Sequence, residues 1–212
     1  MLFNRNISEL LLLVPPLLFS ITIHEFSHAL AAHLLGDNTA KDNGRLTLNP
    51  VKHLDLLGTL LILMSFFIGW AKPVPVDPRN FKNPGRDMSL VAVAGPLSNL
   101  LMVFLMAFIF NFFILTSFYN HVPEFFQEPL ASMVYIAFFL NIGLCFFNLL
   151  PIPPLDGFNI ISYFLPPSAS IFIARYRFIF FIGIIVLIAT GMVGKILMPV
   201  FSFFQTQLHM EF

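Results

Sequence analysis

Residues 9–35 read ELLLLVPPLLFSITIHEFSHALAAHLL, and this run decides the class of fold. It is longer than the roughly 20 apolar residues that a helix needs to cross the hydrocarbon core of a bilayer. The whole chain has the matching composition: of 212 residues, 58% are hydrophobic and only 10% are charged, and the mean hydropathy is +0.85. The sequence therefore predicts an integral membrane protein.

Further apolar runs are long enough to span the membrane, at 88–115, 131–150 and 178–198. A shorter run at 56–71 contains glycines and a tryptophan, and it could span or could enter and return. The prediction is an all-α integral membrane protein with about four spanning helices plus this short re-entrant or fifth apolar segment. Short strands could form near 46–49 and 73–76.

The apolar runs leave no room for a separate soluble module. One polytopic domain is predicted over 1–212, with a motif-bearing core at about 9–165 and a C-terminal spanning segment at about 170–204. Lysine and arginine together number 11, as do aspartate and glutamate, so the chain has no basic excess. A lipid bilayer is the expected surroundings, and nucleic acid is not an expected partner.

A metal-binding pattern lies inside the first apolar run, at His24, Glu25 and His28. Residues four apart share one face of a helix, so the two imidazoles can hold one metal ion, while Glu25 is rotated about 100° toward a water on its open side. Ionisable groups in mid-membrane cost about 2.5–3.5 kcal/mol each, which a bound cation would offset. The pattern therefore predicts a zinc ion that activates water.

Catalytic zinc uses three protein ligands, so a third must come from elsewhere in the chain. Asp156 is one candidate, because it follows a membrane run and a proline-rich stretch in FFNLLPIPPLDGFNI (146–160). Capping of the next short helix is the alternative role for this aspartate. The remaining candidates lie in stretches where solvated polar residues are expected: His53, His121, Glu124 and Glu128.

HEFSH (24–28) together with NLLPIPPLDG (148–157) resembles the site-2 protease family of intramembrane zinc metalloproteases. GRLTLNP (44–50), GWAKPVPV (69–76) and AGPLSN (94–99) resemble its small bacterial members, which carry no extra regulatory domains. The resemblance implies one Zn²⁺ per chain. It implies the following site residues: the zinc ligands His24, His28 and Asp156, the catalytic Glu25, and Asn148 at the substrate carbonyl.

The expected activity is hydrolysis of peptide bonds in or near transmembrane segments of membrane proteins. A membrane metal transporter is one alternative, and a non-proteolytic relative that binds membrane proteins is another. Asn99 is interpreted as a polar contact between helices.

The ligands also predict a topology. His24 and His28 can meet Asp156 only if the ends of the first and third long runs lie on one side, so 56–71 should not cross. The basic residues then share that side, which the positive-inside tendency places in the cytoplasm. A multi-pass cell-membrane protein is predicted, with its active site nearer the cytoplasmic surface.

Overall fold

The computed structural model describes residues 7–55, 58, 71–114, 116, 119 and 121–210. The α-helices among them are α1 (Ile7–Leu34), α2 (Thr39–Asp42), α3 (Pro84–Ile109), α4 (Glu124–Asn148), α5 (Asp156–Ser162), α6 (Pro167–Arg175), α7 (Arg177–Ala189) and α8 (Met192–Gln207). Short 3-10 turns lie at Pro50–Lys52 and Pro78–Asn80, and a π-helical turn at Phe110–Ile114 extends α3. The all-α prediction is confirmed.

Among the described residues, three helices are long and apolar enough to cross a membrane: Ser8–Leu34, Pro84–Phe113 and Glu124–Asn148. They correspond to the predicted runs at 9–35, 88–115 and 131–150, and they pack against one another. α3 begins with Pro84 behind the cap residue Asn83, whose side chain accepts a hydrogen bond from the backbone of Arg86. Predicted spans and observed helices differ mainly at such caps, because polar first turns continue a helix beyond its apolar part.

The predicted fourth span at 178–198 is wrong as a single helix. α7 ends at Ala189, and α8 starts at Met192 after Gly191, whose φ is 71°. Glycine adopts this left-handed backbone readily and so ends a helix. A fourth crossing is instead possible for the pair Ser168–Arg175 and Arg177–Ala189, which are bent by 61°. The count of about four spans is thus retained with different bounds.

The main apolar core lies between α3 and α4, with α8 packed on its side. Aromatic and branched side chains fill it, which buries the apolar faces of these helices. Its fully buried members are Val103, Phe110, Phe138, Ile142 and Met210. The side chains that cover it from α8 include Phe201 and Phe204.

The run predicted to re-enter, 56–71, lies outside the described residues except for Gly58 and Ala71. Its two flanks do meet: Leu54 and Ala71 form an isolated antiparallel bridge, and the backbone N–H of Lys72 donates to the carbonyl of His53 at 2.9 Å. Residues 54 and 71, on either side of this run, therefore lie next to each other.

The suggested strands at 46–49 and 73–76 are wrong, since both stretches are irregular. A side chain makes the hydrogen bonds there that a neighbouring strand would otherwise make. The buried guanidinium of Arg45 donates to the backbone carbonyls of Lys72 (2.5 Å) and Pro73 (3.2 Å). The prolines of the second stretch have no N–H with which to pair.

A buried carboxylate, that of Asp37, joins the loop after α1 to the loop before α3. It accepts hydrogen bonds from the backbone and hydroxyl of Thr39 (3.0 and 2.5 Å), the backbone of Asp77 (2.9 Å) and the amide of Asn80 (2.7 Å). Burial alone would raise the pKa of Asp37, but these hydrogen bonds outweigh burial and hold that pKa below its usual value. The end of α1 and the start of α3 therefore lie at one end of the bundle.

Asp37→Asn is expected to destabilise the protein at neutral pH by about 1–3 kcal/mol, because an amide cannot accept from all of these donors. Since the folded pKa lies below the unfolded value of about 3.9, the contribution of the carboxylate is present above that pH and is lost as the pH falls through the folded pKa. Thermal unfolding in detergent at neutral pH and near pH 3 measures the difference from wild type, which should shrink in acid. Asp42→Asn, at an exposed site on α2, is the control, and equal effects of the two substitutions would contradict this role.

Candidate active site

The two histidines of HEFSH lie one turn apart on α1 with their rings in contact. Their Nε2 atoms are 3.1 Å apart, and the ring planes cross at 86° with centroids 4.7 Å apart. Both side chains are buried. The i, i+4 spacing thus brings two imidazole nitrogens to one point on the helix surface.

Asp156, the first residue of α5, meets them there. Its Oδ2 lies 3.2 Å from Nε2 of His24 and 3.2 Å from Nε2 of His28. In a tetrahedral site with zinc–ligand bonds of about 2.0–2.1 Å, neighbouring ligand atoms are about 3.3 Å apart. Within the described part of the chain, these are the residues grouped closely enough to hold a metal ion.

The donor atoms suit a cation. Nδ1 of His28 lies 2.7 Å from the carbonyl oxygen of Val91, so it carries the proton and leaves a lone pair on Nε2. Nδ1 of His24 lies 2.5 Å from Oδ1 of Asn99. Oδ2 of Asp156 is buried without a hydrogen-bond partner among the described residues. Two lone pairs and one carboxylate oxygen repel one another unless a cation lies between them, and two nitrogens plus one oxygen match catalytic zinc with a fourth position open.

The connection between α4 and α5 brings Asp156 into position. The stretch PIPPL (151–155) cannot continue α4, because proline lacks the required N–H. Gly157 then lets α5 start against the end of α4: a Cβ at this position would lie 2.5 Å from the carbonyl carbon of Leu149 and from the oxygen of Leu150. Asp156 is thus held beside α1 because its neighbour has no side chain.

Glu25 is partly buried on α1, next to His24 but on another face. Its carboxylate is not among the converging ligand atoms. The guanidinium of Arg45 is near enough to attract it electrostatically. Glu25 is thus available to contact a water or substrate instead of the metal.

Asn148 is the last residue of α4. Its side-chain amide donates to the carbonyl oxygen of Leu144, one turn earlier, at 2.9 Å. One of its two amide hydrogens is used in this bond, so the other is available for a further acceptor.

α3 forms the wall behind the histidines through groups that the sequence analysis did not assign to the site. They are the carbonyl of Val91, Gly95 and the side chain of Asn99, spaced four apart on one helix face. A Cβ on Gly95 would lie 2.6 Å from Cε1 of His28 and 2.7 Å from Cε1 of His24. The usable signal was this spacing of small and polar residues within an apolar helix.

The other candidate ligands lie apart from this cluster. His53 is fully buried, so its interpretation as a solvated residue is wrong: its Nε2 donates to the carbonyl of Thr47 at 2.8 Å. Glu124 and Glu128 are exposed on the first turns of α4, and His121 is exposed just before them. Asn148 marks the opposite end of that helix.

Comparison with known proteins identifies the family to which the chain belongs. The sequence profile of peptidase family M50 matches residues 119–190, a region that includes Asn148 and Asp156. The "Putative zinc metalloprotease YwhC" of Bacillus subtilis is 42% identical over 193 residues, which cover 90% of this chain and 85% of that protein. The "Putative zinc metalloprotease Rip2" of Mycolicibacterium smegmatis is 29% identical over 189 residues, covering 87% of this chain and 69% of that protein. No solved structure gives a significant match. The chain belongs to peptidase family M50, the site-2 protease family of intramembrane zinc metalloproteases.

Proposed function

We propose that this protease is a zinc metalloendopeptidase of the site-2 type, which cuts membrane proteins within or close to a transmembrane segment. In this proposal one Zn²⁺ is held by His24, His28 and Asp156, while Glu25 and Asn148 act on water and substrate. The main support is the convergence of three buried ligand atoms, 3.1–3.2 Å apart, from two helices. A cluster of this kind is costly in a membrane unless it holds a metal.

Zinc supplies Lewis acidity to a water molecule and to the peptide carbonyl when it is bound there. Glu25 is assigned the role of general base, because it neighbours His24 on α1 and its carboxylate is not among the converging ligand atoms. The proton that it accepts from water passes to the nitrogen of the departing peptide. Asn148 uses its second amide hydrogen to bind the carbonyl oxygen as negative charge develops on it.

Access follows from the depth of the site. His28 lies eight residues before Gly36 in the sequence, which corresponds to about 12 Å along a helix. Water can therefore enter from that end of the bundle without crossing the whole bilayer. A transmembrane substrate hides its peptide groups within its own helix, so the segment must unwind locally before it reaches Glu25.

We assign the Gly36 end of the bundle to the cytoplasm because basic residues are concentrated there. Glu124 and Glu128 are at the other end, and the positive-inside tendency places basic residues on the cytoplasmic side. The residues that support this orientation lie in the stretch between α1 and the first turn of α3: Lys41, Arg45, Lys52, Lys72, Arg79, Lys82 and Arg86. The same single domain, 1–212, would contain both the site and its membrane anchor.

The alternatives have less support. A metal transporter is expected to offer ligands along a path through several helices, whereas the described residues bring together one group of three. A scaffold that only binds membrane proteins would have no use for Glu25 next to a metal site.

Asp156→Ala tests the ligand set. About one zinc per purified wild-type chain is expected, and the variant should bind zinc more than tenfold more weakly, because outer-shell changes alone cost about 10–100-fold. Metal analysis after dialysis against a weak chelator measures the zinc that wild type and variant retain. Asp42→Ala, at an exposed position, is the matched control. Unchanged zinc in Asp156→Ala would refute its role as third ligand.

A further inference from the structure

We propose that Asn99 is a positioning residue for His24, and that Asn141 and Ser20 set the orientation of Asn99. The three residues come from the three long helices α3, α4 and α1, and all are fully buried. The inference rests on the proposed function, because it gives the hydrogen bonds a purpose through the zinc ligand His24.

The direction of the hydrogen-bond chain is determined at Asn141. Its side-chain Nδ2 lies 2.8 Å from the carbonyl oxygen of Ala137, and a carbonyl oxygen can only accept. This atom must therefore be the nitrogen, and its second hydrogen is donated to the hydroxyl oxygen of Ser20 at 2.8 Å. Oδ1 of Asn141 is thus left to face Asn99 as an acceptor.

The orientation of Asn99 follows from that of Asn141. Nδ2 of Asn99 donates to Oδ1 of Asn141 at 2.7 Å and is 3.4 Å from the carbonyl oxygen of Ser20. Turning the amide over would place two oxygens against each other in a buried site, which is costly. Oδ1 of Asn99 is therefore held toward the imidazole of His24.

The consequence lies in the tautomer of His24. An oxygen 2.5 Å from Nδ1 accepts a hydrogen bond, so Nδ1 carries the proton and Nε2 keeps its lone pair facing Asp156. Metal-binding histidines commonly have such a partner on the second ring nitrogen, which fixes the ring and raises its basicity. For His28 that partner is the backbone of Val91, whereas for His24 it is a side chain and can be changed.

A contact between helices alone would not explain this arrangement. Asn111, in the π-helical turn, is a polar contact of that simpler kind: its amide donates to the carbonyls of Ala107 (2.9 Å) and Leu208 (2.8 Å). It links the end of α3 to the end of α8 and contacts none of the three converging ligands. Asn111→Leu is therefore a matched control for Asn99→Leu.

The test measures zinc affinity by competition with a coloured chelator in detergent, and the visible spectrum of the protein loaded with Co²⁺. Asn99→Leu should bind zinc about 10–100-fold more weakly than wild type and should show altered cobalt bands, because the ring of His24 is no longer held. Asn111→Leu should lower the thermal midpoint while leaving zinc affinity at the wild-type value.

Wild-type zinc affinity in Asn99→Leu, or an equal loss of zinc affinity in Asn111→Leu, would overturn the inference. If Asn99→Leu does not fold, Asn99→Ser decides by the same criterion, since its hydroxyl is too short to reach His24. Failure of the proposed function looks different: wild-type protein would then bind no zinc, or Asp156→Ala would bind it normally. Either result would also remove the basis for a role of Asn99 at the metal.

Discussion

Replacement of Glu25 by glutamine is expected to leave zinc bound and to slow proteolysis about 10²–10⁴-fold, the usual contribution of a general base. Glutamine has nearly the same shape as glutamate, but its amide cannot take a proton from water at neutral pH. The carboxylate is not one of the three atoms that converge at the candidate site, so its loss should not weaken metal binding. Catalysis and zinc binding should therefore separate in this variant.

The measurement pairs two readouts on purified protein in detergent: zinc content, and the rate of cleavage of a reporter that contains a transmembrane segment. Glu124→Gln is the matched control, because Glu124 is exposed at the other end of the bundle and should cleave at the wild-type rate. Wild-type cleavage by Glu25→Gln would show that Glu25 is not the base. If the wild-type protein cleaves no reporter but transports metal or binds membrane proteins, the transporter or the scaffold would be favoured over the protease.

Gly95→Ala is expected to weaken zinc binding strongly and to slow proteolysis, although it adds only one methyl group. That methyl carbon would lie 2.6 Å from Cε1 of His28 and 2.7 Å from Cε1 of His24, well inside van der Waals contact. Because both rings are buried, they can move only by leaving the position in which they meet Asp156. We expect zinc affinity to fall at least as far as when an outer-shell partner is lost, about 10–100-fold, and stability to fall by about 1–3 kcal/mol.

Gly183→Ala is the control, because the same substitution is expected to leave stability unchanged or raise it there. Gly183 lies within α7, and a Cβ there would meet no atom within 4 Å. Alanine is a better helix former than glycine by about 1 kcal/mol, so this variant should be at least as stable as wild type and should keep its zinc. Thermal unfolding and metal analysis compare the two variants directly. Equal behaviour of both would refute the steric role of Gly95.

Much of the fold could be predicted because the bilayer imposes simple rules. The spans that correspond to α1, α3 and α4 follow from length and apolarity alone, since unsatisfied backbone groups in lipid force a helix. The run at 178–198 misled for a related reason: it is apolar throughout, but Thr190 and Gly191 end the helix locally, a signal that mean hydropathy does not contain. The suggested strands failed because a buried arginine, Arg45, holds that backbone.

The candidate site could be predicted in part. The spacing of His24 and His28 places both rings on one helix face, and a carboxylate after a membrane run made Asp156 a candidate. The role of α3 could not be read in the same way. Gly95 and Asn99 are ordinary residues of an apolar helix until α1 packs on them, and their effect on the histidines depends on contacts between residues about 70 positions apart.

The sequence by itself determined the environment, the helical spans and the metal-binding chemistry, because these depend on local spacing and on the cost of polar groups in lipid. Tertiary structure alone decided that Asp156 reaches the two histidines, since Gly157 allows α5 to start against the end of α4. It also decided which ring nitrogen of His24 is free, since that depends on a hydrogen-bond chain through three helices. Packing sets such contacts, and packing is a property of the assembled bundle and not of any one segment.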